Sequence, residues 1–213
     1  FVLNPDLVIS EKSIYSLYNF MTKNPNAGIV APITEPDEDF YGLFPEKSTK
    51  KITGPNEIRC KNLLKNSKID GEICVEVAKG CALLLNSEHF EKVGKFDERY
   101  FLFWEEIDLC RRFRSKKHSV IISPSSLAIH KQGRSSKKSI KNFIIKTFYS
   151  EYSPLIYFNV QRLSGFLIYK QIRYLFRSLT YLLIFNIKKS FINLIKLYAN
   201  IRYFIDLRFS SKK

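Results

Sequence analysis

Between Phe96 and Phe113 the chain reads FDERYFLFWEEIDLCRRF, and four of the five residues from Tyr100 to Trp104 are aromatic. Glu105, Glu106 and Asp108 follow at once. Adjacent carboxylates behind an aromatic run lie at the rim of an apolar wall, where burial raises a carboxyl pKa and suits the group to general-base work. The same spacing also makes an ordinary helix start. Acids in a first turn meet the positive end of the helix dipole, and Asp108 with Arg112 is an i,i+4 pair. Spacing alone leaves both readings standing. Asp6 could join such a site, because it stands just past the strand-like FVL, where open α/β sheets bind ligands. His130 ends SPSSLAIH at the edge of a basic stretch. Taken alone, NPD also reads as a strand-ending turn, and a lone His as a surface or core residue.

The elements that must hold these residues follow from the apolar periodicity. Phe1 to Leu3 reads as a buried strand stopped by Asn4 and Pro5. Residues 10–23 read as an amphipathic helix with Ser10 as N-cap, Glu11 in its first turn, and Ile14, Leu17, Tyr18 and Met21 on one face. Gly28 to Ile33 is another buried strand. After it come about forty mixed residues with Pro36, Pro45, Gly54 and Pro55, the composition of a variable excursion, a lid or a partner-specific loop. Ile73 to Val77 alternates as a strand, Lys79 and Gly80 break it, and Cys81 to Leu85 is apolar again. Ser87 to Val93 reads as a short helix closed by Gly94, a further helix starts near Trp104, and Ser119 to Ile122 is one more short strand.

A chain of 213 residues has room for one domain with a real core plus an appendage. It begins without Met, directly in an apolar run, and so reads as a piece lacking its natural N-terminus; no signal peptide can be judged from such a start. Cys60, Cys74, Cys81 and Cys110 include no CxxC and no paired histidine spacing. That argues against a zinc site or a disulfide framework and fits a reducing cytosol.

Charge is segregated. Residues 1–130 hold 18 Lys+Arg and 18 Asp+Glu, whereas residues 131–213 hold 17 Lys+Arg against only Glu151 and Asp206. The polar, basic KQGRSSKKSIKN at 131–142 marks a linker between two regions. Beyond it apolar and aromatic residues recur at helical spacing with Lys or Arg interspersed. No uncharged run there exceeds the length of Ser178 to Ile187, which is too short for the roughly twenty residues that span a bilayer. Basic amphipathic helices of this kind suit the headgroup region of an anionic membrane. The other reading is a helical hairpin packed on the first domain with a solvated basic face. Such a charge would also attract phosphate backbones, but the basic residues are interleaved with large aliphatics and no nucleic-acid fold is recognisable, so no nucleic-acid partner is expected.

The ordered set LNPD, AKGCALLLNSEHFEKVGKFDERYFLFWEEIDLCRRF and AIHKQGRSS resembles the C-terminal half of a family 2 glycosyltransferase of the bacterial rhamnosyltransferase-like group, over residues 1–136. The resemblance implies an α/β fold: a GT-A-like mixed sheet flanked by helices, without the N-terminal nucleotide-binding half. Residues 1–136 would be its acceptor and metal half, and residues 137–213 a basic amphipathic helical region that associates with membrane. It further implies inverting transfer from a nucleotide-sugar donor to a saccharide or lipid-linked saccharide acceptor in surface polysaccharide synthesis, on the cytoplasmic face of the plasma membrane. Asp6 then corresponds to the last acid of a DxD-type metal motif whose first acid is here Asn4. With His130 it would hold Mg²⁺ or Mn²⁺ against the donor diphosphate. Glu106 stands where the family usually has the Asp that acts as general base.

That is a departure. Glu reaches about 1 Å further, and a misplacement of that size can cost on the order of a hundredfold in rate. Either the backbone compensates, or Glu105 or Asp108 takes the role, or this copy is a catalytically impaired membrane-associated partner. Glu106 is the favoured base, with Asp108 and Arg112 fixing the helix. Lys79, Gly80 and Trp104 would form the acceptor wall, and Arg112, Arg134 and Ser135 complete the expected substrate-binding set.

Overall fold

Ser10 accepts the Ser13 amide at 3.1 Å and so satisfies one of the open donors of a first helical turn. Helix α1 then runs Glu11–Lys23, with Glu11 and Lys23 at the ends that the helix dipole favours. Its inward residues are Ser13 and Leu17, backed by Phe20 and Met21, whereas Ile14 and Tyr18 of the expected apolar face are exposed. The face is turned because Ser13 is needed for polar work. Its hydroxyl accepts the Leu127 amide at 3.2 Å, and its carbonyl accepts the Ser126 hydroxyl at 3.1 Å.

The computed structural model describes residues 1–35, 71–131, 139–159 and 165–210. The expected excursion with Pro36, Pro45, Gly54 and Pro55 lies outside the described residues, as do Arg134 and Ser135. The chain divides into two compact units: Phe1–Asp97 with Glu105–Ser136, and Glu98–Trp104 with Lys137–Lys213.

The first unit is built on a mixed sheet. Its strands are β1 (Val2–Leu3), β2 (Leu7–Ile9), β3 (Ala27–Glu35), β4 (Ile73–Cys74), β5 (Ala82–Leu85) and β6 (Ser119–His130), in the order β1-β5-β3-β6-β2, with β4 also on β6. Among the described strands only β3 and β6 pair in parallel. Two expectations change here. The strand expected at Ser119 to Ile122 continues to His130, because a register shift after Pro32–Ser123 lets Pro124, Ser125 and Ser126 bulge toward α1 before pairing resumes at Ile33–Leu127. The residues after Asn4 and Pro5, read as the end of a strand, lead directly into β2, which pairs Leu7 with His130.

The strand expected at Ile73 to Val77 pairs only over Ile73–Cys74, although the Val75 amide still reaches the Val120 carbonyl at 2.9 Å. Helix α2 spans Ser87–Lys92, capped by Asn86 and closed by Gly94 at φ 85°. Helix α3 spans Glu105–Ser115. Leu17, Ala27, Val30 and Ile121 form a buried cluster under α1. On α3, Phe113 packs against Gly28 so tightly that a Cβ there would lie 2.3 Å from its ring.

The second unit is helical: α4 (Ile140–Tyr157), α5 (Gly165–Leu183) and α6 (Ile187–Ser210). Leu155, Leu167 and Tyr203 centre one cluster. The segment Glu98–Trp104 belongs here. Phe101 packs on Tyr149 and Trp104 on Tyr157 and Phe158, while the Ser153 hydroxyl donates to the Leu102 carbonyl at 2.8 Å.

Candidate active site

Helix α3 begins behind two consecutive non-glycine residues with left-handed backbones, Phe103 at φ 64° and Trp104 at φ 75°. Each such residue costs roughly 1–3 kcal/mol and persists where surrounding structure imposes it, often beside functional groups. The helix therefore starts at Glu105, with Glu105, Glu106 and Asp108 all in its first turn.

The three acids have different surroundings. Asp108 is buried and both its oxygens are taken, one by Arg111 at 2.9 Å and one by Arg112 at 2.7 Å. Arg112 in turn donates to the Val93 carbonyl at 2.6 Å, which ties α3 to the end of α2. This geometry gives Asp108 and Arg112 the task of fixing the helix. Glu105 is partly buried, and desolvation raises its carboxyl above the ordinary range.

Glu106 has a third setting. Its side chain lies over Gly80, where a Cβ would stand 3.1 Å from the Glu106 Cβ and 3.4 Å from its Cδ. A Cβ at residue 80 would press the Glu106 side chain aside by a few tenths of an ångström. Burial, then the charge of Glu105, pushes the Glu106 carboxyl up to about 7, against the pull of the Glu106 and Ile107 amides and of Lys79. Its Oε2 is shielded from solvent and has no hydrogen-bond partner among the described residues. A carboxyl that titrates near neutrality, with one oxygen unengaged, can accept a proton from a bound hydroxyl. The loop beneath is held from α3 itself, since the buried Cys110 thiol approaches the Ala78 carbonyl at 4.0 Å. That thiol is pushed up to about 12 by burial, which leaves it no nucleophilic role near neutral pH.

Asp6 and His130 meet at the end of the β2–β6 pair, with Asp6 Oδ1 3.3 Å from His130 Nε2. The Leu7–His130 register and a bond from the Lys131 amide to the Asp6 carbonyl at 2.9 Å set this approach. A second backbone bond, Asn4 amide to Cys81 carbonyl at 2.9 Å, lays the Asp6 loop beside the residue that follows Gly80. Asp6 approaches His130 and Glu106 approaches Gly80, and the Asn4–Cys81 bond joins the two loops that carry Asp6 and Gly80.

One carboxylate and one imidazole make an incomplete cation site. Among the described residues no group of three or more His, Cys, Asp and Glu side chains is arranged to hold a metal. The pair fits a hard divalent ion that takes its remaining ligands from phosphate and water, as Mg²⁺ commonly does, and does not fit a closed protein cage. Trp104 of the expected acceptor wall is buried against Tyr157 and Phe158 in the helical unit.

Local sequence does not carry two features of this site. The seat of Glu106 on Gly80 joins residues 26 positions apart. The three-residue β2, which brings Asp6 to His130, is too short to show a period; its one local signal is the LVI run after NPD.

No family model matches the chain. Among curated proteins it is similar to the N-acetylglucosaminyl-diphospho-decaprenol L-rhamnosyltransferase of Mycobacterium tuberculosis, with 28% identity over 145 residues that cover 63% of this chain and 47% of that protein. It is also similar to a low-salt glycan biosynthesis hexosyltransferase of Haloferax volcanii, with 28% identity over 133 residues that cover 62% of this chain and 41% of that protein. Both relatives are glycosyltransferases. The chain spans less than half the length of each.

Proposed function

We propose that the chain is the acceptor-side part of an inverting glycosyltransferase of family 2 type, with a GT-A fold, acting in surface glycan synthesis. The reading rests above all on Glu106, a carboxyl seated on Gly80 at the head of α3 and titrating near 7. In the proposed reaction the acceptor hydroxyl oxygen attacks the anomeric carbon of a nucleotide sugar. Its proton passes to Glu106 Oε2, and the bond from the anomeric carbon to the diphosphate oxygen breaks with its electron pair leaving on the diphosphate. Asp6 and His130 are the residues that would hold Mg²⁺ or Mn²⁺, which when bound neutralises charge on the leaving diphosphate.

Lys79 flanks the same loop and supplies positive charge beside Glu106. A saccharide on a lipid diphosphate is the acceptor class we favour, given the relative that carries such an acceptor in its name. We place the reaction on the cytoplasmic face of the plasma membrane, with the basic helices as the attachment.

The test uses the polypeptide as the cell makes it, with nucleotide sugars and polyprenyl-diphosphate-linked saccharides, reading nucleotide release and product. Glu106→Gln should abolish transfer and leave donor affinity within a few-fold of the parent, because a base acts on the acceptor proton and makes no contact with the diphosphate. A comparable loss of donor affinity would remove Glu106 from the base role. Full transfer by the variant would remove the reading of this site altogether.

A further inference from the structure

Beside its apolar cluster the helical unit also buries polar side chains. Helices α5 and α6 turn Lys170, Ser178, Ser190, Asn193 and Asn200 into the interior, where all five are buried. They are bonded there: the Ser178 and Ser190 hydroxyls lie 2.9 Å apart, and Asn200 donates to Glu151 at 3.1 Å. Meanwhile Ile172, Leu175, Phe176, Leu179, Leu182 and Leu183 form an outward stripe along α5 at spacings of three and four, each between 48% and 79% exposed. A contiguous apolar face of this kind marks a surface made to be covered.

The stripe ends in a turn that is more apolar still. Ile184, Phe185 and Ile187 are 67%, 89% and 70% exposed. The turn is nonetheless fully built. The Asn186 amide donates to the Tyr181 carbonyl at 2.8 Å and the Phe185 amide to Leu182 at 3.0 Å, the paired bonds of a helix C-cap whose left-handed residue is usually glycine. Asn186 then caps α6 by accepting the Lys189 amide at 3.1 Å. The left-handed position is held by Phe185 at φ 56°. Glycine would close this turn without strain, so the ring earns its place through what it touches outside the chain.

The surrounding charge selects the occupant. Arg177, Lys188 and Lys189 flank the turn, all exposed, and residues 131–213 carry 17 basic against two acidic side chains. A second copy would bring like charge to like. An anionic leaflet offers acyl chains to the apolar tip and phosphates to Lys188 and Lys189 about one turn along and to Arg177 about two turns back. No described helix is long and apolar enough to cross a membrane.

We propose that the α5–α6 turn inserts into the acyl region of an anionic leaflet, with Phe185 deepest and Arg177, Lys188 and Lys189 at the headgroups. This sharpens the membrane placement proposed above from attachment at the surface to insertion of a defined tip. It does not depend on the transfer chemistry.

The experiment uses the full chain with phosphatidylcholine vesicles with and without phosphatidylglycerol. Phe185→Gly should keep or raise thermal stability, since it relieves the left-handed strain, yet weaken binding to anionic vesicles by about tenfold or more. Phe185→Trp should blue-shift on vesicle addition, beyond the signal of Trp104 in the parent, and be quenched by lipids brominated along the acyl chain. Salt should weaken this binding without abolishing it. If the glycine variant binds like the parent and salt alone releases both, surface attachment stands and insertion falls. If neither protein binds, both fall. A blue shift that follows protein concentration without lipid would assign the tip to a second copy and overturn the proposal.

Discussion

Glu106 couples function to stability with opposite signs. Its folded pKa, about 7, lies above the ordinary 4.5, so between these values the native state binds more protons than the unfolded chain. Stability from this group is therefore full below about pH 4.5 and lost as pH rises through 7, with at most about 3 kcal/mol at stake. The base role needs the ionised form, so transfer should rise with pH through a limb near 7 while the fold loosens over the same interval. Glu106→Gln should remove the pH dependence and leave the chain more stable than the parent at pH 8, as read by urea unfolding at pH 5 and pH 8. An unchanged difference between the two pH values would show that the carboxyl is not desolvated. At the opposing residue, Gly80→Ala would push the Glu106 side chain by a few tenths of an ångström. We expect a loss of about tenfold or more in turnover with little change in melting temperature.

At the level of elements, α3 is held by Asp108. Asp108→Ala would remove the carboxylate that Arg111 and Arg112 share and loosen the guanidinium that reaches Val93, at a cost of about 1–3 kcal/mol by denaturant unfolding. Helix α3 was legible in the sequence because its acids, its apolar spacing and its basic last turn agree. So was α1, whose Leu17 and Met21 face inward as expected, while Ser13 is buried and Ile14 and Tyr18 are exposed. The missing information is the serine bulge of β6, 114 residues away, which demands the Ser13 hydroxyl. The same bulge explains why β6 looked four residues long: Pro124 and three serines carry no strand signal, and pairing with β3 and β2 overrides their preference. Of the candidate site, the acids and Asp6 could be picked out by their neighbours in sequence. The seat of Glu106 on Gly80 is a long-range feature, whereas the arginines that engage Asp108 are its i+3 and i+4 neighbours and lie within reach of a spacing argument.

On the scale of the whole molecule, the polar heart of the helical unit is Glu151. It accepts from Tyr174 at 2.7 Å and Asn200 at 3.1 Å and forms an ion pair with Lys170, and it is nearly inaccessible to solvent. Glu151→Ala would leave Lys170 buried without its counter-charge, a loss on the order of 3–5 kcal/mol. Hydrogen exchange should then accelerate across α4, α5 and α6 and also at residues 98–104, which pack with α4, while the adjoining α3 keeps its protection. Loss of protection in α3 to the same extent would show that the aromatic segment belongs with the sheet.

The chain visits the helical unit at 98–104 and returns to the sheet before the helices themselves appear in sequence. On a ribosome that order has a price in time. Trp104 emerges more than fifty residues ahead of Tyr157 and Phe158, the rings that cover it. At roughly 5–20 residues per second, the most aromatic stretch of the protein waits some 3–10 s for its shelter. During that interval, a nascent chain already able to form its sheet would carry an uncovered aromatic loop, which makes this segment the natural target for a chaperone that binds exposed rings.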